Sequence, residues 1–306
     1  MKTENHVPSS GPDGLEVMKR VLAESVPLAR HWAGERCWRD PVSGESCAWY
    51  HGAWQTLRLL GIVSTLTHHA PLYLEALRPL ITDGDHKRVF LSGSADYGLL
   101  SVVLDAFAQE DLRPEITVAD RCETPLRLCR WYAERCGFAL ETVQADLGEV
   151  PLDRPFDLIC VHSLLSCIPV ERHGEIVATW RRLLRPGGIL MMANTLYLGT
   201  PGKAARFSPQ HVEDYKTRVF KAAAGCPHPE ALPPADELER IAEAFSSTMA
   251  ASVISSRAQL SDLLVEGGFE ILDERFGEFI KDPNYQRTGP PVTSKKEHAW
   301  VVARRV

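Results

Sequence analysis

The chain contains no apolar run approaching the roughly 20 residues needed to cross a bilayer. No basic stretch leads into a short apolar core near its start, so no secretory leader is expected. Positive charge is in short supply: 34 Lys and Arg face 40 Asp and Glu, for a formal net charge of −6. Phosphate-driven binding to nucleic acid or to an anionic membrane therefore has no electrostatic footprint. Eight cysteines (Cys37, Cys47, Cys122, Cys129, Cys136, Cys160, Cys167, Cys226) include no C-x-x-C pair and no Cys/His array at zinc spacing, which argues against a structural metal. These absences leave a cytoplasmic protein with reduced thiols that acts on a small molecule, without nucleic acid, membrane or metal, and free to form a homodimer. Repeats and low-complexity segments are missing as well.

What is present is enough for one large α/β domain with additions, since 306 residues bury a full core. Residues 1–13 are polar and broken by proline and glycine, and predict a loose tail. Residues 14–82 predict an N-terminal helical cap or lid, with Pro27 interrupting or bending the first helix. From 83 to 199 strand and helix patterns alternate. Strands are expected over 88–92, 115–119, 140–144, 156–161 and 188–193, with helices over 97–108, 125–136 and 172–184. Such alternation implies right-handed crossovers and a parallel sheet covered on both faces. Arg185-Pro186-Gly187-Gly188 predicts the stop before the last of these strands. Residues 200–255 lack strand runs and predict a helical insertion over the site, and 256–306 predict a helix and an antiparallel strand pair at the sheet's edge. Cys122, Cys129 and Cys136 fall on one helical stripe, either as small core residues facing a sheet or as a redox or metal stripe.

The functional signal lies between Arg88 and Leu198. An apolar strand runs into the loop Gly93-Ser94-Ala95-Asp96-Tyr97-Gly98, and acidic residues Asp120 and Asp146 close the next two strands. A glycine turn lets backbone approach a ligand, and a carboxylate one βα unit later accepts hydrogen bonds from both hydroxyls of a ribose. The order suggests a nucleoside cofactor.

Taken with Gln144-Ala145-Asp146-Leu147, Phe156-Asp157-Leu158-Ile159, Leu184-Arg185-Pro186-Gly187-Gly188 and the two terminal strands, this set resembles class I S-adenosylmethionine-dependent methyltransferases. The resemblance implies an α/β, Rossmann-like three-layer sandwich: a mainly parallel seven-stranded sheet with an antiparallel C-terminal strand, N-terminal helices and a helical lid insertion. It implies S-adenosylmethionine as cosubstrate. Gly93, Ser94, Ala95, Asp96 and Gly98 would line its methionine and ribose part. Asp120, with Arg121 beside it, would hold the ribose hydroxyls, Asp146 the adenine amino group and Leu147 the ring. His162 and Ser163 would border the cofactor beyond the fourth strand. Two departures stand out: Leu91 occupies the place where the family carries an acidic residue, and Ala95 replaces a loop glycine.

Candidates for chemistry are His162 as a base, Tyr197 (with Asn194 and Thr195) against substrate, and Tyr50 and His51 in the aromatic segment Trp49–Trp54, where ring faces attract a cationic sulfonium or amine. Phe207, His211 and Tyr215 form a second aromatic group, whereas His68-His69 reads as surface or packing. The leading expectation is methyl transfer to nitrogen or oxygen of a metabolite, in amino-acid or secondary metabolism. A second is a similarity to cyclases of the same fold that close azetidine-2-carboxylate and release methylthioadenosine. A nicotinamide dehydrogenase and a non-catalytic, partner-activating protein that binds S-adenosylmethionine remain as alternatives.

Overall fold

The computed structural model describes residues 12–63, 66–82, 87–278, 289–292 and 295–306, with side chains from Val21 onward. Of the expected tail, residues 1–11 lie outside the described part, and Pro12 and Asp13 already belong to a helix. That helix, α1 (Pro12–Arg36), is not interrupted at Pro27. Losing one backbone donor is outweighed here by the apolar stripe on either side, where Val26 and Ala29 are fully buried.

Helices α2 (Ala48–Leu59) and α3 (Ala70–Thr82) lead into an alternating series: β1 (Arg88–Ser92), α4 (Gly98–Gln109), β2 (Glu115–Asp120), α5 (Glu123–Arg135), β3 (Glu141–Gln144), β4 (Phe156–His162), α6 (His173–Leu183) and β5 (Leu184–Leu198). After β6 (Ala204–Arg206), α7 (Pro209–Ala224), α8 (Ala235–Thr248) and β7 (Ala250–Ser252), the chain ends in α9 (Arg257–Glu266), β8 (Phe269–Gly277) and β9 (Lys295–Arg305). The main sheet has the order β3-β2-β1-β4-β5-β9-β8, parallel from β3 through β5. Strand β9 alone runs against its neighbours on both sides. This is the Rossmann-like seven-stranded architecture expected.

Three differences from the sequence expectations have physical causes. Strand β5 begins at Leu184, because Leu184 already pairs with Phe156 and the Pro-Gly-Gly turn is absorbed as an irregularity in the β4–β5 register, with Gly187 at φ +74. It also continues to Leu198, held by β9 from Ile189 to Leu198. The insertion carries a two-stranded antiparallel sheet, β6 with β7, whose three-residue, alanine-rich strands bear no β-forming signal.

The packing divides the N-terminal helices. Tyr73, Leu77 and Ile81 of α3 and Val21 and Ala29 of α1 join the core on the α4/α5 face of the sheet, while α6 and α9 cover the other face. Each such buried side chain contributes about 1.5–3 kcal/mol. Helix α2 instead forms a separate small core with α7 and α8, built on Ala53, Leu57, Tyr215, Val219, Leu238, Ala242 and Phe245. Helices α2, α7 and α8 thus make up a cap with a core of its own.

A buried ion pair ties this cap to the sheet. Arg58 of α2 donates to Asp96 in the loop after β1, and both side chains are under a tenth exposed. Removing one partner of such a pair strands a charge in low dielectric. Arg58→Met is expected to lower the stability by about 3–5 kcal/mol in chemical denaturation; a loss within experimental error would show that Asp96 does not depend on Arg58.

Candidate active site

The loop between β1 and α4 is shaped by a few contacts. Gly93 sits at φ +71, and a Cβ there would come within 2.6 Å of Leu164 and 3.2 Å of Leu147. Its N–H bonds Ala119 O at 2.9 Å, pinning β1 to β2 at the sheet's carboxyl edge. From beneath, the fully buried Trp180 of α6 donates to Ser92 Oγ at 2.8 Å. Ser94 and Ala95 stay half-exposed above it. Gly93 thus makes a left-handed turn packed against Leu164 and Leu147, with no room for a side chain.

Asp96 departs from its expected cofactor role. Its Oδ1 accepts from Gly98 N at 2.6 Å, and its Oδ2 accepts from Trp54 Nε1 at 2.9 Å and from Arg58. At 5% exposure, it is a cap for α4 and an anchor for α2.

Asp120 stands where a ribose-binding carboxylate should. Oδ2 accepts from Ser94 N at 3.0 Å and Oδ1 from Cys122 N at 2.7 Å, which orients both oxygens. Burial raises its pKa, and the nearby His51 and the two backbone donors work against that rise. Arg121 lies exposed with its guanidinium 3.7 Å over the ring of Trp38, so the loop after α1 shields this side of the site. Asp146 accepts from Gly148 N at 2.9 Å and takes a bidentate pair from Arg172 at 2.6 and 3.1 Å, which holds its carboxyl below the usual range. Leu147 is buried beneath Gly93.

Beyond β4, Ser163 adopts φ +54, a left-handed conformation for a non-glycine residue, and its N–H is held by Ala193 O at 2.8 Å. His162 lies against Tyr73 and the ring of His69, which in turn meets His298. Tyr73 donates to Val161 O at 2.6 Å, so its oxygen serves as acceptor toward His162 Nδ1 at 3.3 Å. That arrangement assigns the ring proton to Nδ1 and leaves Nε2 as an acceptor. Burial, reinforced by His298, drives the pKa of His162 down to about 3, and that of His69 lower still. A histidine so weakened is neutral at physiological pH and a poor match for the strong general base expected of it. His69 is packing, as expected, but it is buried packing at the site's floor.

The remaining candidates separate. Tyr50 stacks on Trp54 at 5.1 Å and Phe245 at 5.9 Å, and burial, with the charges of Cys167, Asp96 and Asp120, pushes its phenol well above the usual value. Burial and the charge of Asp120 raise the Cys167 thiol to about 11. Tyr197 lies inside β5, paired with Lys296 and 1% exposed in a small cluster with Ala205, Ala251 and Val253, which corrects its expected loop position. Asn194 is likewise buried within β5 and accepts from Ser166 Oγ at 3.5 Å. Phe207 and Tyr215 complete the cap's aromatic core, and His211 points to solvent.

His51 keeps an edge contact with the ring of Tyr50 at 5.2 Å, but its nitrogen faces another group. Buried at 7%, it joins Cys37, Cys47 and Cys122, a group that linear spacing conceals. Burial opposes its protonation, but the thiols of Cys122 and Cys37 and the charge of Asp120 raise its pKa to about 10. Hydrogen bonds from Cys37 and Cys47 push the Cys122 thiol far down. One signal in the sequence could have found the group: Cys47 and His51 are four apart at the start of a helix. Of the cysteine stripe, Cys129 is core and only Cys122 enters this cluster.

The sheet order, with β9 antiparallel between β5 and β8, is that of the Rossmann-like methyltransferase fold. Residues 101–188 match the family model of a methyltransferase domain. No curated protein matches the chain by sequence. Among solved structures, it is similar to the cyclase SpnF (14% identity, 97% of this chain and 96% of that one, TM-score 0.49). It is also similar to a SAM-dependent methyltransferase from Methanosarcina mazei (18%, 74% and 97%, TM-score 0.45). A third is the N-methyltransferase NodS from Bradyrhizobium japonicum (12%, 83% and 98%, TM-score 0.46).

The buried imidazoles give the fold an acid-sensitive element. Once unfolded, His162 and His69 take up protons below their ordinary value of 6.5, while the folded rings refuse them to much lower pH. Stability is therefore expected to fall as pH drops from 6.5 toward 3, the range between the ordinary and folded values of His162. By about pH 5 each ring costs roughly 2 kcal/mol. Denaturation midpoints against pH check this: His162→Gln should flatten the slope, and an unchanged slope would refute the assignment.

Proposed function

We propose that the protein moves the methyl group of S-adenosylmethionine to a nitrogen or oxygen of a small metabolite in secondary metabolism. The observation that carries this reading is the conjunction, at the carboxyl edge of the sheet, of the left-handed Gly93 turn with Asp120, whose oxygens are already aimed by two backbone N–H groups. Gly93, Ser94 and Ala95 would hold the methionine and ribose part, Asp120 the ribose hydroxyls, and Asp146 with Leu147 the adenine. Methyl transfer is an in-line displacement, so alignment and exclusion of water carry much of the catalysis. The cap of α2, α7 and α8 supplies both. Its face from Tyr50 to Trp54 suits a sulfonium cation, at about 0.5–2 kcal/mol per ring when desolvated. His162, neutral and fixed by Tyr73, orients the acceptor by a hydrogen bond more than it removes a proton. That favours an acceptor such as an amine, part of which is unprotonated at neutral pH.

A second reading keeps the cosubstrate and changes the bond broken: the amino group attacks the aminobutyrate chain, closing azetidine-2-carboxylate and releasing methylthioadenosine. In its favour is Leu91, buried at 1% in the core where related methyltransferases carry an acidic residue, so the methionine end lacks that anchor. Mass spectrometry of the adenosyl products separates the two. Adenosylhomocysteine formed only with a small-metabolite extract supports methyl transfer, methylthioadenosine formed without extract supports cyclisation, and neither product refutes both.

Asp120→Asn keeps the side chain's shape and removes its charge. It is expected to weaken S-adenosylmethionine binding about 10- to 100-fold in calorimetry, and unchanged affinity would remove Asp120 from the ribose site.

A further inference from the structure

Three thiols and an imidazole meet where the N-terminal segment touches the sheet. Cys37 follows the last residue of α1, Cys47 is the N-cap of α2, His51 lies in the first turn of α2, and Cys122 is the N-cap of α5, two residues beyond Asp120. Their ligand atoms all lie within 4.8 Å of one another. Cys37 Sγ is 3.6 Å from His51 Nδ1 and 3.6 Å from Cys122 Sγ.

Those separations are the edges of a metal tetrahedron. With zinc bonds of about 2.3 Å to sulfur and about 2.0–2.1 Å to nitrogen, tetrahedral angles place sulfurs roughly 3.8 Å apart and sulfur from nitrogen roughly 3.6 Å. A disulfide, by contrast, needs sulfurs at about 2.05 Å, and all eight cysteines are free.

The surroundings fit a bound cation. Neither N-cap cysteine makes the side-chain hydrogen bond that an N-cap residue ordinarily provides, so both sulfurs are turned elsewhere. Helix N-termini favour thiolates, the form that binds metal. Thr124 Oγ1 lies 3.3 Å from Cys37 Sγ, within reach to donate to a ligating sulfur. The chain between Cys37 and Cys47 is folded back tightly: Asp40 N bonds Glu45 O at 2.7 Å, and Cys47 N bonds Trp38 O at 3.3 Å. Such a turn delivers two sulfurs to one point.

We propose that Cys37, Cys47, His51 and Cys122 form a structural zinc site that fastens the N-terminal segment to the edge of the sheet. Four protein ligands fill the tetrahedron and leave no position for substrate, which makes the site structural rather than catalytic. Its ligands come from three separate parts of the chain, so the metal cross-links α1, α2 and the β2–α5 turn. The backbone N–H of Cys122 also holds Asp120, so the cross-link sits two residues from the candidate ribose carboxylate.

The test needs no knowledge of the reaction and so stands or falls apart from the methyl-transfer reading. Untagged protein is produced with zinc in the medium, dialysed without chelator and analysed by elemental mass spectrometry. About one zinc per chain is expected. Cobalt exchanged into the site is expected to show sulfur-to-cobalt charge-transfer absorption together with the intense visible bands of tetrahedral cobalt. Cys47→Ala should lose both signals, whereas Cys226→Ala, which alters a cysteine remote from the cluster, should keep them. Should Cys47→Ala fail to fold, mercurial titration of the wild-type protein, with zinc release followed by a chromogenic chelator, replaces it. Zinc below a tenth of an equivalent, cobalt spectra without thiolate bands, signals equal in Cys47→Ala and wild type, or mapping of a Cys37–Cys122 disulfide in the purified protein would each overturn the proposal.

Discussion

The ion pair between Arg58 and Asp96 is the constraint around which the cap and the cofactor loop are arranged. Asp96 makes three kinds of contact at once: it caps α4 through Gly98, receives the indole of Trp54, and neutralises Arg58. A charge pair buried this deeply yields little net stability compared with a packed apolar contact, but it tolerates few alternative geometries. It therefore fixes the angle at which α2 crosses the loop, and with it the position of Tyr50 above Asp120. The loop's departure from the usual glycine pattern, with Asp96 and Tyr97 adding bulk, follows from this second duty.

Much of the central fold was legible because its strands are buried on both faces. Val89, Phe90 and Leu91, or Leu158 through Val161, are continuous apolar runs that only a covered parallel sheet accommodates. The place of Asp120 was legible for a related reason: the same kind of apolar run ends in it, at the carboxyl edge of the sheet. The strand limits of β5 were not, since the Pro-Gly-Gly turn reads locally as a stop, while its pairing with β4 and β9 is decided by residues far away. The alanines of β6 and β7 carried no local preference at all.

The histidines and cysteines were the least legible. His162 was correctly placed at the carboxyl end of β4, but its proton affinity depends on Tyr73, His69 and His298, which arrive from α3, the turn before it and β9. No local pattern predicts an imidazole stack assembled from three segments. The same holds for Cys37, Cys47, His51 and Cys122: spacing rules for metal sites describe ligands gathered by one short motif, whereas here the fold does the gathering.

The cap is made from helices that are far apart in the chain, α2 near its start and α7 and α8 near its end. On the ribosome, the apolar side of α2, with Ala53 and Leu57, has no α7 or α8 partner until Tyr215 and Val219 emerge. The sheet strands β1 through β5 are synthesised in that interval and close their pairings first, since their contacts span shorter stretches of chain. The order of synthesis thus becomes the order of assembly: the carboxyl edge of the sheet forms early and open, and the nascent α2 must wait, exposed to chaperones and to other chains, until the last third of the polypeptide arrives to cover it.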